Sequence, residues 1–334
     1  MNSRGNMAKL FHCDKFLRCM CVLTICAGCC SFPAPALHAQ QTASADTTDP
    51  LHSVRDLLDA SQYAQAEKTL RTYLEKNPSS AEGHFLLGYT LFREQRPKES
   101  LAEFTEGAKY QRPKASDLKI VAADYVVLGD FADADKWLTM VANETPKDAD
   151  AWYLLGRTKY NENRFEEAIE AFQRTLTLRP GDVKAENNLG LSYQGLNRPD
   201  DARKAFENAI SWQKDWPVKD PQPYLNMGIL LADQDQAAQA LPWLQQSVKL
   251  APRNPKVHEE LARAYDLLKM PDKAQHELEQ AITLAPDVAS LHYKLGQVYR
   301  RQGKQQLAQQ EFDICAKINS THSSAETPNP AEQN

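Results

Sequence analysis

Three histidines recur in register along this 334-residue chain: His84, His258 and His292. Each holds the place that Trp152 and Tyr224 hold in neighbouring helical stretches, so a half-buried packing role accounts for them before ligation does. His258-Glu259 opens like a zinc-hydrolase motif, but Ala262 stands where the second histidine must be. Gly190-Leu191-Ser192-Tyr193-Gln194-Gly195 resembles a nucleophile elbow, yet its second glycine comes one residue late and the segment reads as helix. Gly303-Lys304-Gln305 lacks the upstream glycine and the Ser/Thr of a phosphate-cradling loop. Cys315 takes a small-residue place held elsewhere by Ala209 and Ala281, which favours packing over nucleophilicity. No catalytic residue, metal ligand or cofactor is assigned, and the chain is read as a non-enzyme.

The elements that carry these residues repeat. Small residues recur at Ala66, Ser100, Ala134, Ala168, Ala202, Ala240, Ala274 and Ala308, 34 apart with a single interval of 38. Four positions later in each unit sits Leu70, Phe104, Leu138, Phe172, Phe206, Leu244, Leu278 or Phe312. A second small series runs Gly88, Ala122, Gly156, Gly190, Gly228, Ala262 and Gly296, with the same four-residue slip. Within a unit, Trp152, Leu155, Gly156 and Tyr160 share one helix face, and after a turn near Asn163 the run Phe165, Ala168, Ile169, Phe172 and Leu176 shares another. Pro97, Pro199 and Pro271 begin second helices, where a missing N–H costs nothing. Each unit is two antiparallel helices that cannot bury their faces alone, so neighbours must stack.

Composition agrees with that picture. Hydrophobic residues make up 42% and charged residues 25%, with a mean hydropathy of −0.59, which excludes a polytopic membrane protein and a wholly disordered chain. The net charge of −5 gives no basic footprint for nucleic acid. Six of seven cysteines lie in the first thirty residues, unlike a disulfide framework. Arg4, Lys9, Lys15 and Arg18 precede an apolar run from Cys19 to Cys30 and the small-residue stretch ending Leu37-His38-Ala39, so residues 1–39 are expected to be a secretory signal peptide. Cleavage after Ala39, after Ala36, or before Cys29 in a lipoprotein-like Cys26-Ala27-Gly28-Cys29 all remain open, as does Met7 as the start. The expected location is periplasmic or secreted, with a membrane anchor only if Cys29 is lipidated.

The unit 149–182 carries Trp152, Leu155, Gly156, Ala168, Phe172 and Pro180 in the signature places of the tetratricopeptide repeat (TPR) family, with Lys159 where an aromatic is expected and Tyr160 one place on. The chain resembles an exported bacterial TPR protein over about residues 47–320. The resemblance implies an all-α fold, a right-handed α-solenoid or superhelix of about eight helix-turn-helix repeats with a concave groove. After the leader and a linker at 40–46, the expected repeats are 47–80 and 115–148 (both degenerate), 81–114, 149–182, 183–220 with a four-residue insertion, 221–254, 255–288 and 289–320. Residues 321–334 are expected to be a disordered polar tail. The insertion holds Trp212 and Trp216, which are read as covering a lengthened helix end, with a recognition knob as the alternative. Pro242 is expected to kink its helix or delay its start.

The resemblance also implies that one stripe of each first helix lines the groove. Its early residues, among them Phe85, Tyr89, Tyr153 and the neighbouring Arg157, suit apolar or aromatic peptide side chains. Asn187, Asn188 and Asn226 offer paired donors and acceptors for a peptide backbone. Lys256, Glu259, Glu260, Arg263, Tyr293 and Lys294 make the later stretch mixed in charge. The family's carboxylate clamp is only partly matched, because Asn188, Asn226 and Lys256 fit while Glu260 stands where Arg belongs. The expected partner is a protein or peptide, either an extended segment or a helix, and not nucleic acid. A lipid-anchored factor in envelope or pilus assembly is the alternative.

Overall fold

In a computed structural model of the chain, residues 49 and 51–326 are described. The expected leader at 1–39, the linker at 40–46 and the last eight residues lie outside the described residues.

The 34-residue spacing becomes a succession of helix pairs, and the chain divides into two compact units, 1–137 and 138–334. The first holds α1 (His52–Asp59), α2 (Tyr63–Lys76), α3 (Ala81–Arg93), α4 (Pro97–Ala108), α5 (Ala115–Leu128) and the start of α6 (Phe131–Glu144), within which the division falls. The second continues with α7 (Ala149–Asn161), α8 (Phe165–Leu178), α9 (Val183–Gly195), α10 (Pro199–Trp212) and α11 (Gln222–Asp233). It ends with α12 (Ala237–Leu250), α13 (Pro255–Leu267), α14 (Pro271–Leu284), α15 (Ala289–Arg301) and α16 (Gln305–Glu326). No strand occurs among the described residues. In each unit, consecutive helices pack on one another, so the fold is an all-α repeat solenoid.

Two small-residue columns make that packing close. A Cβ added to Gly156 or Gly190 would stand 2.7 or 2.5 Å from the ring of Phe172 or Phe206, both fully buried. The first helix therefore takes glycine where the second presents a phenylalanine, whereas Ala262 shares its cluster with the slimmer Leu278.

Repeat ends follow the same register. The first helices are capped by Ser80, Asp148, Asp182 and Asn254, whose side chains accept backbone N–H groups of the first turn. Asp220 does the same for Gln222 at 2.9 Å. Each turn between the two helices carries one left-handed residue: Ser61, Gln95, Gly129, Asn163, Asn197, Asp235, Lys269 and Gly303, again 34 apart except once. Only two are glycine, so the turn geometry is imposed by the flanking helices on residues that tolerate it unequally.

Four expectations change in detail. α12 begins three residues before Ala240, as α8 does before Ala168, so Pro242 sits inside the helix without delaying its start. α16 runs to Glu326, past the point where the tail was expected to begin. Nothing before Thr327, which precedes Pro328, breaks a helix. The end of α10 is sealed by Gln213 rather than by the tryptophan pair. Gln213 is 0% exposed, donates Nε2–H to the Asp220 carbonyl (3.1 Å) and accepts the Asp220 N–H (2.6 Å). Cys315 is half-buried, whereas Ala209 and Ala281 are fully buried under the helix that follows.

Candidate functional site

In the first unit, Phe85 stacks on Phe104 at 6.0 Å, and its ring fills the space a side chain at Gly107 would need. Its area is thus spent inside its own repeat. The Tyr89 hydroxyl accepts from Arg93 at 2.6 Å, and the same guanidinium lies 4.6 Å over the Tyr63 ring.

The other nine candidate residues fall in the second unit, where the first helices α7, α9, α11 and α13 touch in succession. Side chains one place out of the repeat register meet across these contacts. The Asn188 amide donates to the Tyr153 hydroxyl at 3.1 Å, while the Tyr153 ring packs on Phe172 and the Arg157 guanidinium lies 5.9 Å from its centre. Burial pushes the Tyr153 hydroxyl above the usual tyrosine range; Arg157 opposes this, and the Asp182 and Asp220 carboxylates reinforce it. The hydroxyl therefore keeps its own proton for donation at neutral pH.

Asn187 and Asn226 are both buried and joined directly, Asn226 Nδ2 donating to Asn187 Oδ1 at 2.8 Å. That bond uses one half of each amide. The amino group of Asn187 and the carbonyl of Asn226 are left as a donor and an acceptor side by side. They offer both hydrogen-bonding senses without a net charge, one residue along α9 from Asn188, which bonds the Tyr153 hydroxyl.

Further along, the cations are already taken. Lys256 Nζ lies 3.0 and 2.8 Å from Glu259 and Glu260, Lys294 pairs with Glu259, and Arg263 pairs with Asp233 and Glu260. Burial pushes the Glu259 carboxyl up, but Lys294 and Lys256 outweigh it and hold the group below the usual carboxylate range. Glu260, in the place of the clamp's arginine, thus neutralises the lysine that a ligand carboxylate would need. Tyr293 packs against Phe312 and remains 50% exposed.

The three histidines do more than pack. In each, Nδ1 lies 2.7 Å from a glutamate of the second helix (Glu103, Glu277 or Glu311), and Nε2 lies 2.9–3.0 Å from a loop proline carbonyl (Pro78, Pro252 or Pro286). Trp152 Nε1 donates to Pro146 in the equivalent way at 3.1 Å. These are staples between loop and helix pair. Among the described residues no cluster of three or more His, Cys, Asp or Glu is placed to hold a metal ion, and no helix is long and apolar enough to cross a membrane.

Sequence reasoning missed Asp220 and Asp233. Asp220 caps α11 and acts on Tyr153, and its signal was the capping column it shares with Asp148 and Asp182. Asp233 closes a helix in one repeat and reaches into the next, which no single-repeat pattern reveals.

Family models described as tetratricopeptide repeat match residues 53–116, 149–182, 184–215, 231–297 and 289–322. This chain belongs to the tetratricopeptide repeat family. Proteins with this fold are protein-interaction scaffolds. The TPR chain is 25% identical over 157 residues to mouse (Mus musculus) "Protein O-mannosyl-transferase TMTC1", covering 46% of this chain and 16% of the relative. It is 32% identical over 123 residues to mouse "PEX5-related protein", covering 37% and 19%. The TPR chain thus spans under a fifth of either relative. A crystal structure of a tetratricopeptide repeat protein from Parabacteroides merdae shares the fold with a TM-score of 0.62 and 16% identity, over 75% of this chain and 97% of that one.

Proposed function

We propose that this TPR chain is a non-enzymatic scaffold that holds an extended peptide along its first helices, gripping the peptide by its backbone. One observation carries the reading: the Asn187–Asn226 pair, whose single mutual bond leaves one donor and one acceptor. A backbone amide needs both senses and no charge, whereas a carboxylate terminus needs free cations, and Lys256, Arg263 and Lys294 are paired. An extended peptide is favoured over a partner helix, because a helix has already satisfied its backbone groups and gains nothing from a free amide pair. The test is binding of fluorescein-labelled uncharged peptides of mixed sequence. Replacing Asn187 and Asn226 together with alanine removes both halves of the pair and is expected to weaken binding about tenfold or more. Unchanged binding by the double variant refutes the reading.

The scaffold is proposed to be exported, on the strength of the basic, apolar and small-residue succession in residues 1–39. Intact-mass measurement of the mature protein decides it. A chain beginning at Gln40 or Leu37 supports free export, and a diacylated Cys29 supports the lipid-anchored envelope factor. A chain retaining Met1 or Met7 contradicts both.

A further inference from the structure

The four-residue insertion between α10 and α11 is a built loop. Gln213, wholly buried, clasps both backbone groups of Asp220 and so closes residues 213–220 into a ring; the Trp216 N–H adds a turn by donating to the Gln213 carbonyl at 3.0 Å. Besides the Lys214–Asp215 pair, this ring shows large apolar side chains to solvent. Trp216 is 46% exposed and Val218 70% exposed, and Trp212, the last residue of α10, is 36% exposed. Large apolar side chains held on a fixed loop lose little freedom when something covers them, which favours binding.

The ring is also tied to the amide pair. Asp220 is gripped by Gln213 through its backbone, and its carboxylate accepts the Gln222 N–H at the start of α11, the helix that carries Asn226. Trp216 is four residues from Asp220, and Asn226 is six further along, the last four in α11, so the Trp216 and Asn226 Cα atoms stand no more than about 28 Å apart. An extended peptide covers that distance in about eight residues.

We propose that this loop is a side-chain pocket wall for the same peptide: Trp216 and Val218 select a large apolar residue within about eight positions of the backbone held at Asn187–Asn226. The inference rests on the groove reading above. The loop's charges favour this occupant over a bilayer, because Lys214 and Lys219 are balanced by Asp215 and Asp220, leaving no net attraction to anionic lipid.

The experiment uses the full chain and two sets of fluorescein-labelled twelve-residue peptides of Ser, Thr, Asn and Gly. One set carries a single Phe or Leu moved along the sequence, and the other keeps Ser throughout. The wild type is expected to bind one register of the apolar set about tenfold more tightly than the serine parent. Trp216→Ser/Val218→Ser, both surface changes, is expected to abolish that preference while binding the parent as the wild type does. Asn187→Ala/Asn226→Ala is expected to weaken both sets and keep the ratio. If the wild type binds both sets equally, or the loop variant keeps the preference, the loop inference falls and the groove stands. If no peptide binds, the groove reading falls and the loop inference with it. Loop-dependent binding to phosphatidylcholine–phosphatidylglycerol vesicles, with a Trp216 blue shift and no peptide preference, assigns the loop to a membrane and overturns the proposal.

Discussion

Asp124 offers a stability prediction with a worked magnitude. It lies in α5 in the column that holds Thr90, Thr158 and Ser192 in other repeats, and each of those hydroxyls donates to a carbonyl four residues back in its own helix. An ionised carboxylate has no proton to donate. Asp124 is 1% exposed, its Oδ2 has no hydrogen-bond partner, and burial pushes its carboxyl up to about 7 despite the opposing Ser100 hydroxyl. The unfolded chain ionises this group near 3.8. Between those values the folded protein holds a proton that the unfolded chain has released, so stability falls as pH rises from about 4 to about 7 and then levels. Three pH units correspond to about 4 kcal/mol at pH 8, and under about 1 kcal/mol remains at pH 4. Asp124→Thr, which copies the chain's own solution, is therefore expected to slow hydrogen exchange in α3–α5 and raise their opening free energy by up to about 4 kcal/mol at pH 8. At pH 4 wild type and variant are expected to coincide within about 1 kcal/mol. A gain that is equal at pH 4 and pH 8, or a loss at pH 8, refutes the reasoning.

Other consequences follow from the packing and the ion pairs. Gly190→Ala puts a Cβ 2.5 Å from the Phe206 ring and is expected to cost about 1–3 kcal/mol in denaturant unfolding; Gly228→Ala, 2.5 Å from Leu244, is expected to cost a similar amount. Lys269→Gly relieves a left-handed lysine (φ 60°) at a position where Gly129 and Gly303 sit in other repeats, and should raise the thermal midpoint by an amount equivalent to about 0.5–1 kcal/mol. Glu259→Gln/Glu260→Gln releases Lys256 and Lys294, and should turn a surface indifferent to acidic peptides into one that binds them several-fold better at low salt than at 0.5 M.

The repeat was legible because its marks are chemical absences: Ala or Gly where two helices touch must be small in every copy. The capping and turn columns obey the same 34-residue period but were not read. Ser80, Asp148 and Asn254 cap through different side chains, and Gln95, Asn163 and Lys269 share a backbone angle rather than a chemistry. The groove stripe was legible as a set of positions, not as a set of bonds. Asn187 and Asn226 stand 39 residues apart because the insertion and a one-place offset intervene, and only the folded chain shows that they meet. The mixed charge of the later stretch was legible, but the pairing of Lys256, Arg263 and Lys294 was not, because their acidic partners lie one helical turn away or in the adjacent repeat. Gln213 carries no pattern that marks it in the sequence, and only its burial reveals what it holds.

The claim that a peptide is held by its backbone is tested most directly by methylating that backbone. A peptide that binds the wild-type chain is resynthesised with one N-methyl group at a time, and in parallel with one alanine at a time, and each series is titrated by fluorescence polarisation. Backbone recognition by the Asn187–Asn226 pair predicts that methylation at one or two alternate positions weakens binding about tenfold or more, while alanine at those positions leaves it within about twofold. Tolerance of N-methylation at every position, with sensitivity only to the alanine series, would contradict it.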